Sequence, residues 1–305
     1  MTPLLPAGLH YWERGWLSSN SIFLDDGISS VLIDTGYVTH SSLLLTFLAS
    51  RLHQRTLDTL VNTHLHSDHC GGNLAVQSQF PEITTFIPFG LFDAVRDWDN
   101  SALSFEATGQ SCPRFHADTQ LHPGDFYNWA GFNWEVHASP GHDHDALLFF
   151  NPENRILISA DALWANGFGV VFPEICGGTG FAEVISTLDL IENLNPRIVL
   201  PGHGPLIEDV ARAIAIARKK INRFKESPPL HASHAAKVLL KFKLLEWQSV
   251  DMDTLKLWAT STSLLEDIHK SFFSTISISL WIEDLVSDLV SKKVARLDGL
   301  TLHNI

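Results

Sequence analysis

Short apolar runs and amphipathic stretches alternate along the N-terminal two thirds of the chain. Residues 21–24 and 29–33 are apolar runs separated by Asp25-Asp26-Gly27, a turn sequence typical of a β-hairpin. Apolar residues recur at helical spacing in residues 42–52. Strands interleaved with helices over about 200 residues predict a layered α/β architecture. The other predicted strands are 57–62, 83–87, 132–138, 146–150, 155–159 and 197–200, and the other predicted helices are 73–79, 181–194 and 208–226.

The pattern changes after Ser227-Pro228-Pro229, a sequence that is predicted to break the preceding long helix. Downstream of this point the spacing is mostly helical, and an alternating stretch around Asp298-Gly299 predicts a hairpin at 294–302. Helices followed by a small hairpin are typical of a winged-helix-like subdomain. We therefore predict two domains, residues 1–226 and residues 227–305. The predicted helices of the second domain are 235–248, 253–258, 264–272 and 281–292.

The composition is typical of a soluble globular protein, with 45% hydrophobic and 18% charged residues. A formal charge of −13 disfavours a nucleic-acid partner, because such binding relies on Lys and Arg neutralising phosphates. The sequence shows neither a signal-peptide pattern nor an apolar run of membrane-spanning length. Three isolated cysteines, Cys70, Cys112 and Cys176, fit a reducing compartment. We therefore expect a cytoplasmic protein without a nucleic-acid or membrane partner.

Metal-ligating residue types are concentrated in residues 64–70, which we call the metal loop. His64 and His66 are two residues apart, so in extended backbone both side chains face the same side. Asp68 and His69 follow on a turn. Histidines accompanied by carboxylates commonly hold divalent metal ions. Four such side chains can serve two neighbouring ions but cannot supply all of one tetrahedral site, so further ligands must come from elsewhere.

Three later strand ends offer these further ligands. His142 follows Pro140-Gly141, Asp161 follows a predicted strand, and His203 lies within the sequence Pro-Gly-His-Gly. Taken singly, a histidine or aspartate at a strand end is more often a solvated loop residue or a cap. The density of ligand-type residues in the metal loop favours a shared metal site instead.

The order of these residues resembles that of the metallo-β-lactamase superfamily over about residues 15–210. The resemblance implies an α/β fold, namely an αββα sandwich of two facing sheets with the site at one edge. The helical, winged-helix-like C-terminal subdomain is then an addition to this sandwich. The matching residues are Asp34, His64, His66, Asp68, His69, His142, Asp161 and His203.

The resemblance also implies a role for each of these residues. Asp161 would bridge two ions, Asp34 would support the metal loop, and Asp68 would orient the attacking hydroxide as the catalytic residue. β-Lactamases of this fold typically lack the bridging aspartate, so the set is closer to that of glyoxalase II-like thioesterases and lactonases. The implied metal ligands are His64, His66 and His142 for the first ion, and Asp68, His69 and His203 for the second.

We therefore expect a dinuclear hydrolase that cleaves a thioester, ester or lactone with a hydroxide bridging two divalent ions. Zinc is the expected metal, while iron and manganese stay open because mixed His/Asp sites accept all three. A phosphodiesterase or nuclease is the first alternative, and the acidic chain counts against it. A persulfide dioxygenase with a single iron is the second. A flavin-linked diiron reductase and a binding protein without turnover are the weaker alternatives.

The aromatic loop after Asp161 is the candidate substrate pocket, although packing on the core explains such a loop equally well. The expected partner is a small-molecule acyl substrate, and a homodimer stays open. A basic cluster at residues 218–225 fits the phosphates of coenzyme A or the carboxylates of glutathione. A solvated helix face is the simpler interpretation of that cluster. The pocket candidates are Trp164, Phe168, Phe172 and His144.

Overall fold

The computed structural model describes residues 5–305, and the chain divides into two compact units. Unit 1 comprises the described part of Met1–Leu103 together with Cys112–Asn222. Unit 2 comprises Ser104–Ser111 and Arg223–Ile305. No sequence pattern predicts that residues 104–111 belong to unit 2. The predicted domain boundary after residue 226 stays a prediction.

Two mixed sheets form the centre of unit 1. In the first sheet β1 to β3 are antiparallel and β3 to β6 are parallel. Its strands are β1 (Leu9–Trp12), β2 (Ser21–Asp25), β3 (Ser30–Ile33), β4 (Thr59–Val61), β5 (Thr84–Pro88) and β6 (Thr119–Leu121). In the second sheet only the last two strands are parallel. Its strands are β7 (Phe126–Trp129), β8 (Phe132–Ala138), β9 (Leu147–Asn151), β10 (Ile156–Ala160) and β11 (Ile198–Pro201).

Helices cover the sheets of unit 1. Among them α6 buries Val184, Leu188 and Ile191 at the spacing that predicted this helix. Two 3-10 turns, Val38–His40 and Phe89–Leu91, precede α1 and α4. The helices are α1 (Ser41–Leu52), α2 (Ser67–Cys70), α3 (Asn73–Gln79), α4 (Phe92–Asp97), α5 (Phe172–Ile175), α6 (Gly180–Leu194) and α7 (Val210–Glu226).

Burial on both faces of β2 explains the layering. Ile22 and Leu24 point to one face and share a core cluster with Trp134 of the second sheet. Phe23 points to the opposite face, where its cluster includes Leu48 of α1. Because successive strand residues face opposite sides, a strand that is apolar throughout requires a layer on each face. The predicted αββα sandwich is confirmed.

The strands that the sequence pattern missed are mainly sheet edges. β1 and β6 are the two edges of the first sheet, and β7 is an edge of the second. They have three or four residues each and are partly exposed. Strands this short carry too few residues for an alternation of apolar and polar positions to be recognised.

Unit 2 contains four helices and a three-stranded antiparallel sheet, in the order of a winged-helix-like fold. Pro228 begins a helix, whereas the sequence analysis placed that helix start at residue 235. A proline is well tolerated in a first helical turn, because its missing N–H would have no intrahelical partner there. The elements are α8 (Pro228–Trp247), β12 (Ser249–Asp251), α9 (Met252–Ser261), α10 (Ser263–Phe272), α11 (Ile278–Ser291), β13 (Ala295–Asp298) and β14 (Thr301–Asn304).

Residues 104–111 are held within unit 2 by a buried lysine. Lys243 Nζ donates to the Gly109 carbonyl at 3.0 Å and pairs with Glu246 Oε2 at 2.8 Å. The indole N–H of Trp258 points to the same carbonyl at 3.4 Å.

Across residues 5–305, no helix combines the length and the apolarity that are needed to cross a membrane.

The two clusters on β2 predict unequal costs for two leucines of α1. Leu48 is 0% exposed, whereas Leu43 is 58% exposed. Leu48→Ala should lower the free energy of unfolding by about 2–5 kcal/mol, because it leaves a cavity under the sheet. Leu43→Ala is the matched control and should change it by less than about 0.5 kcal/mol. Chemical denaturation followed by circular dichroism measures both, and equal losses would contradict this assignment of the core.

Candidate metal centre

The candidate ligands meet because their strands end at the same place. Asp34 directly follows β3, and His64 follows the parallel neighbour β4 after a short connection. In the second sheet Asp161 directly follows β10, and His203 follows its parallel neighbour β11. The carboxyl ends of parallel neighbours lie at one sheet edge, which is where such folds place their sites.

Three histidines form the first group. His64 Nε2 lies 3.1 Å from His66 Nδ1, which lies 2.8 Å from His142 Nε2. His142 Nδ1 is 2.5 Å from the carbonyl oxygen of Val170, so this nitrogen carries the proton and donates. The lone pair of His142 is therefore on Nε2, where it faces the other two rings. Three nitrogen lone pairs converging in this way can hold one metal ion.

Asp161 links this group to a second one. Its Oδ2 lies 3.4 Å from His142 Nε2, and its Oδ1 lies 3.3 Å from His69 Nε2. His203 Nε2 is 3.0 Å from Asp68 Oδ2 and 3.8 Å from Asp161 Oδ1. The second group therefore comprises Asp68, His69, Asp161 and His203, and one carboxylate faces both groups.

Asp34 supports the metal loop from behind. Its Oδ1 accepts the backbone N–H of Thr63 at 2.9 Å, and its Oδ2 accepts the Thr63 hydroxyl at 2.7 Å. Oδ2 also lies 2.7 Å from His69 Nδ1, which fixes the proton of His69 on that nitrogen. His69 Nε2 is then left as a lone-pair donor directed into the second group.

The close approach of the ligands depends on a residue without a side chain. A Cβ added at Gly202, next to His203, would lie 2.3 Å from Asp161 Oδ1 and 2.9 Å from His69 Cε1. Both distances are far below van der Waals contact. Only glycine therefore lets the backbone of the His203 loop run this close to Asp161.

Burial and local charge prepare these groups to bind cations. Burial, helped by the nearby rings of His69 and His66, lowers the pKa of His64 well below its usual value. Burial alone would raise the pKa of Asp161, but the charges of His69 and His203 outweigh it and hold this pKa well below its usual value. Neutral imidazoles and ionised carboxylates are the forms that bind metal ions.

The surroundings of His69 test whether a metal fits. Within residues 5–305, its fully buried Nε2 makes no hydrogen bond of good geometry, although Asp161 Oδ1 lies 3.3 Å away. Burial opposes protonation of this ring, yet the carboxylates of Asp161, Asp34 and Asp68 together raise its pKa well above the usual value. The pocket therefore stabilises positive charge at a nitrogen that hydrogen bonding leaves orphaned. A divalent ion bound by Nε2 and these carboxylates would satisfy both demands.

Residues that the sequence analysis missed hold the His203 loop. The side-chain amide of Asn20 donates to the carbonyls of Pro201 and Gly204, each at 2.9 Å. The Tyr11 hydroxyl donates to Gly204 at 2.6 Å. Neither residue carries a recognisable signal, because each acts only through a loop that is about 190 positions away in the sequence.

Of the predicted pocket aromatics, Trp164 and Phe172 lie beside the candidate ligands, whereas Phe168 does not. The indole N–H of Trp164 donates to Asp161 Oδ1 at 3.2 Å, and the Phe172 ring lies 6.4 Å from the rings of His66 and His142. Phe168 is 1% exposed and packs under Lys220 instead, so it has almost no surface to offer a substrate. The sequence analysis also did not single out Trp16.

Trp16 adds an exposed aromatic surface at the second group. Its ring stacks on His203 with centroids 5.4 Å apart and an interplanar angle of 3°. It also meets Trp164 edge-on at 5.4 Å, and it remains 59% exposed. His144, the last predicted pocket residue, is an exposed loop residue between His142 and Asp145.

Comparison with known proteins agrees with this architecture. Residues 14–203 match the family model described as the metallo-beta-lactamase superfamily. The chain belongs to this superfamily. A metallo-beta-lactamase family protein from Thermus thermophilus has the same fold with a TM-score of 0.59 and 17% identity. That match covers 99% of this chain and 100% of the other.

Two curated relatives are similar over the superfamily region. A "Beta-lactamase-like protein 2 homolog" from Drosophila melanogaster is 28% identical over 63% of this chain and 60% of its own length. An "Atrochrysone carboxyl ACP thioesterase" from Aspergillus fumigatus is 24% identical over 64% of this chain and 54% of its own length. The matched region thus spans about half to three fifths of these relatives. The two His/Asp groups of this chain could each hold a metal ion.

The contacts of Asp34 predict a loss of metal affinity in Asp34→Asn. The amide cannot accept from Thr63 and His69 as the carboxylate does, so the metal affinity should fall by about 10–100-fold. Competition titration with a chromophoric chelator measures this affinity. Asp26→Asn, in the exposed turn between β2 and β3, is the matched control and should bind metal like the parent. Equal affinities of the two variants would show that Asp34 does not support the site.

Proposed function

We propose that the chain is a dinuclear metal-dependent hydrolase of acyl thioesters, with zinc as its metal. The observation that carries this proposal is the placement of Asp161, whose two oxygens face two separate ligand groups. A carboxylate in this position would bridge two ions, and a two-ion site is suited to hydrolysis at a carbonyl. A single ion held by the first group, with or without Asp161 Oδ2, would leave Asp161 Oδ1 and the second group without a metal.

The chain divides the work between its two ligand groups. His64, His66 and His142 would hold one ion, whereas Asp68, His69 and His203 would hold the other. When bound, the two ions would supply Lewis-acid activation of water and of the scissile carbonyl. The protein itself fixes the ligand positions in advance through Asp34, Val170 and Asn20.

Asp68 is suited to handle the proton of the attacking water. Its side chain is 14% exposed, in contrast to 0% for His69 and 6% for Asp161. The His203 and His69 rings both approach Asp68 from its Oδ2 side. Its Oδ1 would accept a hydrogen bond from water in the cleft and so orient the oxygen lone pair towards the substrate.

The substrate preference is proposed from the aromatic side chains at the second group. The exposed surface of Trp16 beside His203 offers an apolar platform for an acyl chain. The N–H of Trp164 already donates to Asp161, so Trp164 can offer a substrate only the apolar edge of its ring. A thioester is preferred over an ester or lactone because a curated relative of similar sequence is named as an acyl-carrier-protein thioesterase.

The proposal is tested by measuring bound metal and thioesterase activity in the same sample. We expect two equivalents of zinc per chain and hydrolysis of acyl-coenzyme A or acyl-glutathione. Asp161→Ala should lose one equivalent of metal and lower kcat by at least about 100-fold, because it removes a group shared by both ions. Glu82→Gln, at an exposed position of unit 1, is the control and should retain both properties.

Two outcomes would overturn the proposal, one through the metal count and one through the substrate. A single iron without hydrolysis of thioesters or lactones would direct the search to oxygen-dependent sulfur chemistry. Two ions with turnover of a phosphodiester alone would keep the dinuclear site but refute the substrate class.

The Trp16 platform predicts a selective effect on substrate binding. Trp16→Ala should raise KM for phenylacetyl-coenzyme A by about 2- to 10-fold, the worth of one aromatic contact, and should leave KM for acetyl-coenzyme A unchanged. Phe126→Ala removes a similarly exposed aromatic from β7 and serves as the control. A parallel rise for both substrates would assign Trp16 a structural role instead.

A further inference from the structure

Two cysteine side chains meet at the C-terminal end of the metal loop. The sulfurs of Cys70 and Cys112 are 3.7 Å apart, although the residues are separated by 42 positions. Cys70 is the last residue of α2, directly after His69, and it is fully buried. Cys112 is partly exposed and lies in a segment without helix or strand. The third cysteine, Cys176, is exposed and lies in another loop.

We propose that Cys70 and Cys112 form an oxidation site, in which a peroxide converts the two thiols into a disulfide that alters the metal loop. This inference rests on the two-ion site of the proposed function but not on which substrate is hydrolysed. A disulfide requires a sulfur–sulfur distance of about 2.05 Å, so the two sulfurs must approach by about 1.6 Å. The irregular backbone at Cys112 can supply part of this movement.

The unequal exposure of the two thiols sets the order of the reaction. The accessible Cys112 thiol loses its proton and its sulfur attacks the peroxide, which breaks the O–O bond and forms a sulfenic acid; the leaving hydroxide or alkoxide takes up that proton and departs as water or alcohol. The Cys70 sulfur then attacks the Cys112 sulfur, which forms the S–S bond and releases a water molecule. The peroxide accepts the two electrons that the thiols lose, and no further reactant is needed. Cys70 is thus the resolving thiol, shielded from direct attack but within reach.

The consequence for the metal loop follows from the contacts of Cys70. Its Sγ lies 3.3 Å from the carbonyl oxygen of His66, and its backbone N–H donates to the same oxygen at 3.1 Å. Movement of Sγ towards Cys112 removes the first contact and pulls on the turn that carries Asp68 and His69. Because these residues belong to the second ligand group, the disulfide should weaken the binding of the second ion.

The experiment treats the zinc-loaded 305-residue chain with a small excess of hydrogen peroxide. We expect a mass decrease of about 2 Da, the loss of two hydrogens, and a cross-linked peptide pair containing Cys70 and Cys112. Zinc affinity at the second ligand group should fall by about tenfold, the lower end of the effect of losing a supporting contact. Reduction with a phosphine should restore it.

Two variants separate this site from general oxidation. Cys112→Ser removes the partly exposed thiol, so its zinc affinity should resist peroxide, whereas Cys176→Ser should respond like the parent. Absence of the cross-linked peptide, with Cys112 recovered as sulfinic acid, would overturn the proposal. A cross-link that forms without any change in zinc affinity would overturn it as well, because the disulfide would then be isolated from the metal loop.

Discussion

Three carboxylates, those of Asp34, Asp68 and Asp161, approach the buried ring of His69 to within 2.7–3.9 Å. Concentrated negative charge away from water is costly unless cations lie among it. This electrostatic constraint accounts for the features around it. The sheet edges must converge, the backbone at residue 202 must carry no side chain, and the lone pairs must be fixed in direction. The fold can be understood as the scaffold that keeps this charge in a small volume.

Hydrogen bonds from the N-terminal part of the first sheet fix the position of the His203 loop, which belongs to the second sheet. Asn20, which precedes β2 of the first sheet, bonds the loop that follows β11 of the second. Its backbone N–H also donates to the carbonyl of Gly202 at 2.6 Å. The His203 loop is therefore positioned by the sheet opposite to its own. A change in sheet packing would be transmitted to the second ligand group through these bonds.

Local patterns predicted a layered α/β architecture and a shared metal site, whereas the αββα sandwich and the set of seven ligands were implied by the resemblance to the superfamily. β2 and β3 are continuous apolar runs on either side of a turn sequence, and the metal loop contains four ligand-type residues within six positions. The short edge strands, Asn20 and Trp16 were missed, because their roles arise only from contacts with distant segments. Phe168 shows the opposite error, a residue that was predicted to line the pocket and does not. An aromatic residue beside a site in sequence can still point into the protein.

The discontinuity of unit 2 has an evolutionary consequence. Ser104–Ser111 belongs to this unit although it is encoded in the middle of the other, and Leu264 N–H donates to the carbonyl of Ala107 at 3.1 Å. The carbonyl of Gly109 likewise accepts hydrogen bonds from Lys243 and Trp258. The C-terminal helices therefore cannot be exchanged among relatives as one continuous segment of sequence. An exchange of residues 223–305 alone would leave the carbonyls of Ala107 and Gly109 without these donors, so residues 104–111 would have to be exchanged with them.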